Sequence, residues 1–571
     1  MAYESICFLG VIFVFSRILF FILCSFQVIA DQPASHAITG HAENLFALKQ
    51  LNKTKINLLL KLEQSKQAEL RLLKHPKQHP SGHQPKMYKL DQWPLTANSS
   101  NINFYEINHT YPLRLSSDNG RKYLDFHGLV ELDQDIFYNI NGLGVYTGLS
   151  VRNMYNQNTL DRLWANHIAP SLLARLDDQV IFNYAPDFGL NQYRTFDAFV
   201  EVNYSRPLSL KIGLQKDIVG GLELLLPGGH NELMYGGFPG MLAPNREIGF
   251  YVYGALGAHR QTADNDLYDY GFNDAISYQF GMVEGAADNT NPGIIPTVSV
   301  DSIFVTSTPG VALNNKSIEA RVFFNPFIND NISLLQNLGV GLSGSFVNVN
   351  NQSNMPALLS MGLNPIFVYS LFTWANGPRT RVRPQILWYY DSLEINADWV
   401  RSSQHLQFAP PVKNKFVPQI YQQNKAGQIQ VAYNLTHEKF SLDAFKPNNN
   451  FHPFEPGAYG ALQIICRVSN LSIDPASFYS IVTGRFSDSA SNPMTSVQQA
   501  NAMSVGLHWY WNDYFSLQME YDQSNYVGGC STGALDPQTN KNPGCFTGTP
   551  GGRVINRPSE KVFMQRMRLV F

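Results

Sequence analysis

The last eleven residues constrain the fold of this chain more than any other stretch. Phe563, Met567, Leu569 and Phe571 share one face, while Met564, Arg566, Arg568 and Val570 share the other. This is the period of two that places successive side chains on opposite faces of a strand. Upstream, Met503, Val505, Leu507, Trp509 and Trp511 alternate with Ser504, Gly506, His508 and Tyr510. An Asn512-Asp513 turn then leads into Phe515, Leu517, Met519 and Tyr521. A hairpin with one greasy, aromatic-flanked face is a poor soluble edge but suits a lipid-facing wall. Leu208–Leu214, Ile318–Phe324, Val340–Phe346, Ile386–Tyr390, Leu393–Trp399 and Ile429–Leu435 read as similar strands. Charged residues make up 15% of the chain, below the roughly 25% of an ordinary soluble domain, and aromatics make up 13%. No apolar run of about 18 residues follows residue 30, so helical spans are not expected. The expected fold is all-β, a transmembrane antiparallel β-barrel occupying residues 104–571. Thr436-His437-Glu438-Lys439 reads as a short turn, and 216–245, 257–276 and 522–560 read as long connections. Alternating short turns and long loops are a barrel signature.

Three segments precede the barrel. Residues 1–30 read as a signal peptide: Arg17, the apolar core Ile18–Phe26, then Val28 and Ala30 before a mature start at Asp31. An uncleaved anchor is the rival reading. Residues 31–75 read as a basic amphipathic helix, with Leu45, Leu48, Leu51, Leu58, Leu59, Leu62, Leu70 and Leu73 at mixed three- and four-residue spacings. Asn52, Lys55 and Lys66 break strict heptads, leaving two readings: a short coiled coil that assembles chains, or a surface helix. Residues 31–90 hold ten Lys/Arg and four Asp/Glu, so the overall net charge of −2 hides a +6 arm and a −8 remainder. Residues 76–103 form a Pro/Gly/His-rich linker, read as solvated and not as a metal tract. The extension is expected in the periplasm. Cys7 and Cys24 leave with the signal; Cys530 and Cys545 flank a Gly/Pro/Asn-rich loop and read as its disulfide staple. Two free thiols are the alternative.

Strand parity sorts the charges. Lys211 lies between Leu210 and Ile212, and Arg321 between Ala320 and Val322, so both point away from lipid. Arg379, Arg381 and Arg383 stand two apart, opposite in parity to Val382, Ile386 and Trp388. Arg467, Arg566 and Arg568 fall on the same inner side. Guanidinium groups carry a permanent charge and fork onto phosphate-like oxygens, so a wall of them favours anions. Asp197, Glu201, Glu319, Glu394, Asp398 and Glu520 share the lumen, which keeps a mixed, unselective pore as the rival.

At this level the chain resembles the phosphate-selective porins O and P. The resemblance spreads over most of residues 120–571. Asp197–Tyr204 with Pro207–Gly213 looks like that family's fourth and fifth strands, and Leu242–Gly249 like the exit from its inward-folded third loop. Phe324–Phe327 with Leu338–Gly341, Arg383–Gln385 with Ala397–Gln404, Leu435–Glu438, Gly460–Arg467 and Gly506–Tyr510 follow in order. The resemblance implies a barrel of about 16 strands, a homotrimer, and a constriction loop at 216–245 carrying Lys216 and Glu223, with Arg246 at its exit. The family pattern Lys-x-Pro-Phe-Gly-Leu-Glu here reads Lys216-Asp217-Ile218-Val219-Gly220-Gly221-Leu222-Glu223, without the Pro-Phe pair and with one added glycine.

The expected function is an outer-membrane porin, a water-filled channel for passive diffusion of small solutes, with anions such as phosphate preferred and neutral solutes as further partners. The alternatives are a weakly selective general porin and a structural or adhesion barrel tethered to the cell wall by its helix. No G-x-S-x-G or H-E-x-x-H occurs, and Gly229-His230-Asn231-Glu232 lacks a second histidine, so neither catalysis nor a metal site is expected. No cofactor and no nucleic-acid partner are implied. Expected partners are outer-membrane lipids and the barrel-assembly machinery, engaged through the strand ending at Phe571.

Overall fold

The computed structural model describes residues 113–117, 122–138, 162–177, 179–189, 193–225, 233–259, 272–289, 315–330, 332–352, 355–370, 373–408, 419–440, 442, 445–478, 489–493, 496–529, 556–557 and 559–570. The signal peptide, the basic helix, the linker, Cys530, Cys545 and Phe571 lie outside the described residues.

Sixteen antiparallel strands close into one barrel. They are β1 (Lys122–Tyr138), β2 (Arg162–Arg175), β3 (Val180–Asp187), β4 (Arg194–Ser205), β5 (Leu208–Lys216), β6 (Arg246–His259), β7 (Asp274–Val283) and β8 (Ser317–Phe324). The second half comprises β9 (Leu338–Gln352), β10 (Thr373–Tyr390), β11 (Leu393–Phe408), β12 (Gln419–Asn434), β13 (Ala461–Ser472), β14 (Val497–Tyr510), β15 (Phe515–Gly528) and β16 (Glu560–Val570). Each pairs with its neighbour in sequence, and β16 closes on β1 from Lys561↔Tyr138 to Val570↔Leu129. Beyond Leu129, the short strand Leu113–Ser117 takes over the same edge of β1, pairing Leu113 with Phe126 and Ser117 with Lys122. The seam therefore has a partner along nearly all of β1.

Parity decides which side chain meets what. In β8, Ser317, Glu319, Arg321 and Phe323 are buried, while Ile318, Ala320, Val322 and Phe324 are exposed. The outer face continues through Ile212, Phe250, Phe280, Phe346, Ile386, Trp399, Ile429, Val468, Met503 and Met567, all exposed large apolar groups. Such a belt around a closed barrel is stable only in lipid, where closure also removes every unpaired strand edge. Trp509, Trp511, Phe451 and Phe515 pack edge-on at the β14–β15 turn, an aromatic cluster at one end of the belt.

The connections sort onto two rims. At one rim β2–β3, β4–β5, β6–β7, β8–β9, β10–β11, β12–β13 and β14–β15 are joined, four of them by the short turns 176–179, 206–207, 391–392 and 511–514; at the other the remaining pairs are joined, most of them by longer stretches of chain such as 217–245 and 353–372. In the first turn Asp177 accepts N–H bonds from Gln179 at 2.8 Å and Val180 at 2.6 Å, which hold its carboxyl below the usual carboxylate range. Three expected connections are corrected. Residues 436–439 are not a complete turn, because the β12–β13 connection runs from 435 to 460 and packs Phe440 and Leu442 under the barrel wall. The connection expected at 257–276 spans 260–273, since β6 continues to His259 and β7 begins at Asp274. Likewise β15 continues to Gly528, so the loop expected from 522 begins at 529.

Substituting Ile429→Arg, in the apolar belt, should cost about 2–4 kcal/mol, whereas Gln419→Arg at the rim end of the same outward row should cost about 1 kcal/mol or less. Urea unfolding in lipid vesicles checks this; equal costs would contradict the assigned belt.

Candidate channel lumen and constriction

The β5–β6 loop folds into the barrel. It leaves at Lys216 and returns at Arg246, which are register partners, and holds the short helices α1 (Leu222–Leu225) and α2 (Phe238–Met241). Leu222, Leu225 and Leu233 pack on Phe323, Leu387, Tyr389, Ala432 and Ile465 of the β8–β13 wall. The Met234 N–H donates to Glu520 Oε2 on β15 (2.7 Å), Tyr235 OH to Asp133 Oδ2 on β1 (3.1 Å), and the Phe238 N–H to Ser469 Oγ on β13 (3.0 Å). A loop bonded to β1, β13 and β15 crosses the lumen.

The three β10 arginines are fully buried and anchor inward loops. Arg383 donates to Asp398 on β11 and, through Nη1, to Gly220 O at 2.6 Å in the crossing loop. Gly221 has φ +90°, and a Cβ there would strike the Arg383 guanidinium at 2.0 Å, so this contact requires glycine. Arg381 bonds Asp288 Oδ1 (2.7 Å) and Ala286 O (2.8 Å) at the start of the β7–β8 loop. Arg379 reaches Ala286 O (3.2 Å), Gln404 and Gln352. The ladder thus faces inward as parity requires, with its donors bound to carboxylates and loop carbonyls.

The other expected residues are spread around the wall. Lys211 Nζ lies 3.0 Å from Glu201 Oε2 and 4.6 Å from the Phe199 ring centroid. Arg246 donates to Asp197 Oδ1 (2.9 Å), and Arg321 stacks on Phe272 and Phe323. Arg467 lies 3.8 Å from Glu520. Arg566 forks onto Asp133 with two bonds of 2.7 Å and approaches Glu131 at 3.3 Å, which also meets Arg568 at 3.5 Å. Lys216 is buried at the loop entrance, and Glu223 lies in α1. Cys466, expected only as a strand residue, faces outward and is exposed.

Glu131, Asp133, Asp135 and Glu247 are buried acids that the sequence reading does not single out. Glu131, Asp133 and Asp135 stand two apart on β1, the same signal that revealed the arginines, and parity alone could have found them. Asp217, Glu247 and Glu319 bring carboxylate oxygens within 4.8 Å of one another. Oxygen-only sets of this kind suit hard divalent cations. Here Asp217 accepts from the Val219 N–H (2.6 Å), Glu247 from Gly285 and Ala286 (2.8 and 2.6 Å), and Glu319 from Tyr251 OH (2.8 Å). No linear spacing announces this cluster, because three elements deliver it.

A second inward segment occupies the rim of long loops. Residues 355–370 contain a two-stranded ladder, Leu358↔Phe367 and Leu359↔Pro365. Phe367, Met361 and Leu358 join α2 and the inward-facing Val347, Val349, Val400, Leu406, Leu471 and Ala502 in one buried apolar cluster. On the far wall, Glu560 accepts from the Gly362 N–H (3.1 Å) and Asn364 Nδ2 (2.9 Å). This hairpin spans from the β9–β10 wall to β16.

The fold and interior define a lipid-belted barrel with an inward constriction loop and paired interior charges. No protein-family model matches the chain, and no curated protein matches it in sequence. Among solved structures it is similar to the outer membrane channel DcaP of Acinetobacter baumannii, with TM-score 0.42 and 10% identity over 80% of this chain and 99% of that one. It is similar also to OmpT, an outer membrane protein of Vibrio cholerae (TM-score 0.41, 10% identity, 80% and 100% covered), and to an anion-selective porin from Comamonas acidovorans (TM-score 0.40, 9% identity, 79% and 100% covered).

Arg383→Ala removes the guanidinium that faces the buried Asp398 and should destabilise the barrel by about 3–5 kcal/mol. The double variant R383M/D398L should recover most of that loss in urea unfolding; no recovery would show the pair is not coupled.

Proposed function

We propose that this chain is an outer-membrane porin, a passive-diffusion channel for small polar solutes with weak charge selectivity. The observation that carries the reading is the combination of a closed lipid-belted wall with a polar, charge-paired interior crossed by the 217–245 loop. A barrel of this strand number is wide enough for an aqueous channel. Short turns then face the periplasm and long loops the exterior. The hairpin 355–370 narrows the outer mouth.

A preference for anions, phosphate included, is the second reading, favoured by the inward row Arg379, Arg381 and Arg383. Against it, Asp288 and Asp398 sit directly on that row, and Asp133, Glu131 and Glu201 accompany Arg566, Arg568 and Lys211. A transverse field of paired charges orients solutes without rejecting either sign. Assembly as a homotrimer and the roles of the 31–75 helix and the Cys530–Cys545 staple belong to the proposal.

Purified protein in planar bilayers should give discrete conductance steps, and none from folded protein would overturn the channel. In a KCl gradient the reversal potential should stay near zero, while a shift to the chloride potential would establish the anion reading. Phe367→Ser should leave the barrel folded and raise the unit conductance. An unchanged step would remove the hairpin from the permeation path.

A further inference from the structure

Beyond the channel, the outer face carries two basic side chains where the apolar belt ends. Arg401 on β11 and Lys425 on β12 are direct register partners, and both are exposed. Opposed residues on one sheet face have Cβ atoms roughly 5 Å apart, and like charges so placed repel. Neither makes an ion pair among the described residues. Asp474, just past the end of β13, accepts N–H bonds from Gln423 (2.7 Å) and Ala476 (2.9 Å) and is not ion-paired with Lys425.

Their height is set by their neighbours. One outward step toward the short-turn rim lie Trp399 and Gly427, themselves register partners, and a Cβ on Gly427 would meet the Trp399 ring at 3.2 Å. The indole therefore covers Gly427, and Ile429 and Val468 continue the belt below it, 58% and 61% exposed. One step toward the long-loop rim the outward residues are Ser403 and Gln423, followed by His405, whose ring sits 5.2 Å from that of Tyr421. On β13 and β14 the same boundary is crossed by Asn470 and Ser472, paired with Asn501 and Gln499. The basic pair thus stands at the lipid–headgroup boundary on the long-loop side, above an interfacial tryptophan. A cation buried at mid-membrane is costly, but at this depth the cost is about 0–1 kcal/mol.

We propose that Arg401 and Lys425 bind the phosphate of a phosphorylated lipid headgroup in the leaflet on the long-loop side. A phosphate between them relieves their repulsion, the guanidinium supplies a fork for two oxygens and the ammonium a third contact. The acyl chains of the same lipid lie along Trp399, Ile429 and Val468. The headgroup is an annular ligand of the outer wall and takes no part in permeation.

Native mass spectrometry of the full-length protein with bis-phosphorylated lipid A as probe tests this. Wild type should retain the lipid, and R401Q/K425Q should retain it roughly thirtyfold less, at about one kcal/mol per basic residue near an anionic surface. R401K should lose less than R401Q. Dephosphorylated lipid A should bind wild type no better than the double variant, and inorganic phosphate alone should not compete at millimolar concentration. Equal retention by wild type and R401Q/K425Q, both heat-modifiable and hence folded, would overturn the proposal. Competition by inorganic phosphate would also overturn it, assigning the pair to free anion. Bilayer conductance should be the same in both proteins, separating this outcome from the fate of the channel reading.

Discussion

Everything in this molecule depends on the closure of β16 onto β1. In a hydrocarbon environment an unpaired backbone N–H or C=O costs several kcal/mol, so a sheet survives there only when it has no edge. The register from Lys561↔Tyr138 to Val570↔Leu129, extended by Leu113–Ser117, removes that edge. Once the wall is closed, inside and outside are distinct along every strand. The alternation then becomes a division of chemistry, with apolar groups to lipid and most strand charges to the interior, Arg401 and Lys425 at the belt's edge excepted.

The interior solves a problem that closure creates. Charged side chains shut inside a barrel lose much of their water, and that loss is tolerable when each charge is paired and hydrogen-bonded. Arg383 with Asp398, Arg381 with Asp288, Arg566 with Asp133 and Arg246 with Asp197 follow this rule. Two of the same guanidiniums, Arg383 and Arg381, also bond loop carbonyls, so charge compensation and loop placement are one event there. The crossing loop owes its path to Arg383, Glu520 and Asp133 on three different strands. The field inside the barrel is consequently set by these pairs and not by a count of arginines.

Much of the wall was legible because parity is a local property. Arg321, Arg379, Arg381, Arg383, Arg467, Arg566 and Arg568 were assigned inward from their immediate neighbours, and all are buried. The same test would have exposed Glu131, Asp133 and Asp135. The connections were less legible: residues 436–439 look like a turn locally, yet the chain continues to 460 before β13 begins. Apolar residues such as Phe440 and Leu442 serve the loop under the wall as well as they would serve a strand, and hydrophobicity alone does not tell the two apart.

The sequence by itself determined the class of fold, the outward and inward sets on most strands, and the place where the long inward loop departs. Those follow from periods of two and from turn residues, which act over a few positions. Only the tertiary structure decided what the inward charges do. Arg383 meets Gly220 across 163 positions of sequence and Glu520 meets Met234 across 286. The hairpin 355–370 likewise reaches Glu560 on the opposite wall. Those meetings depend on the curvature of a closed sheet bringing distant strands to face one lumen, and no local period encodes that curvature.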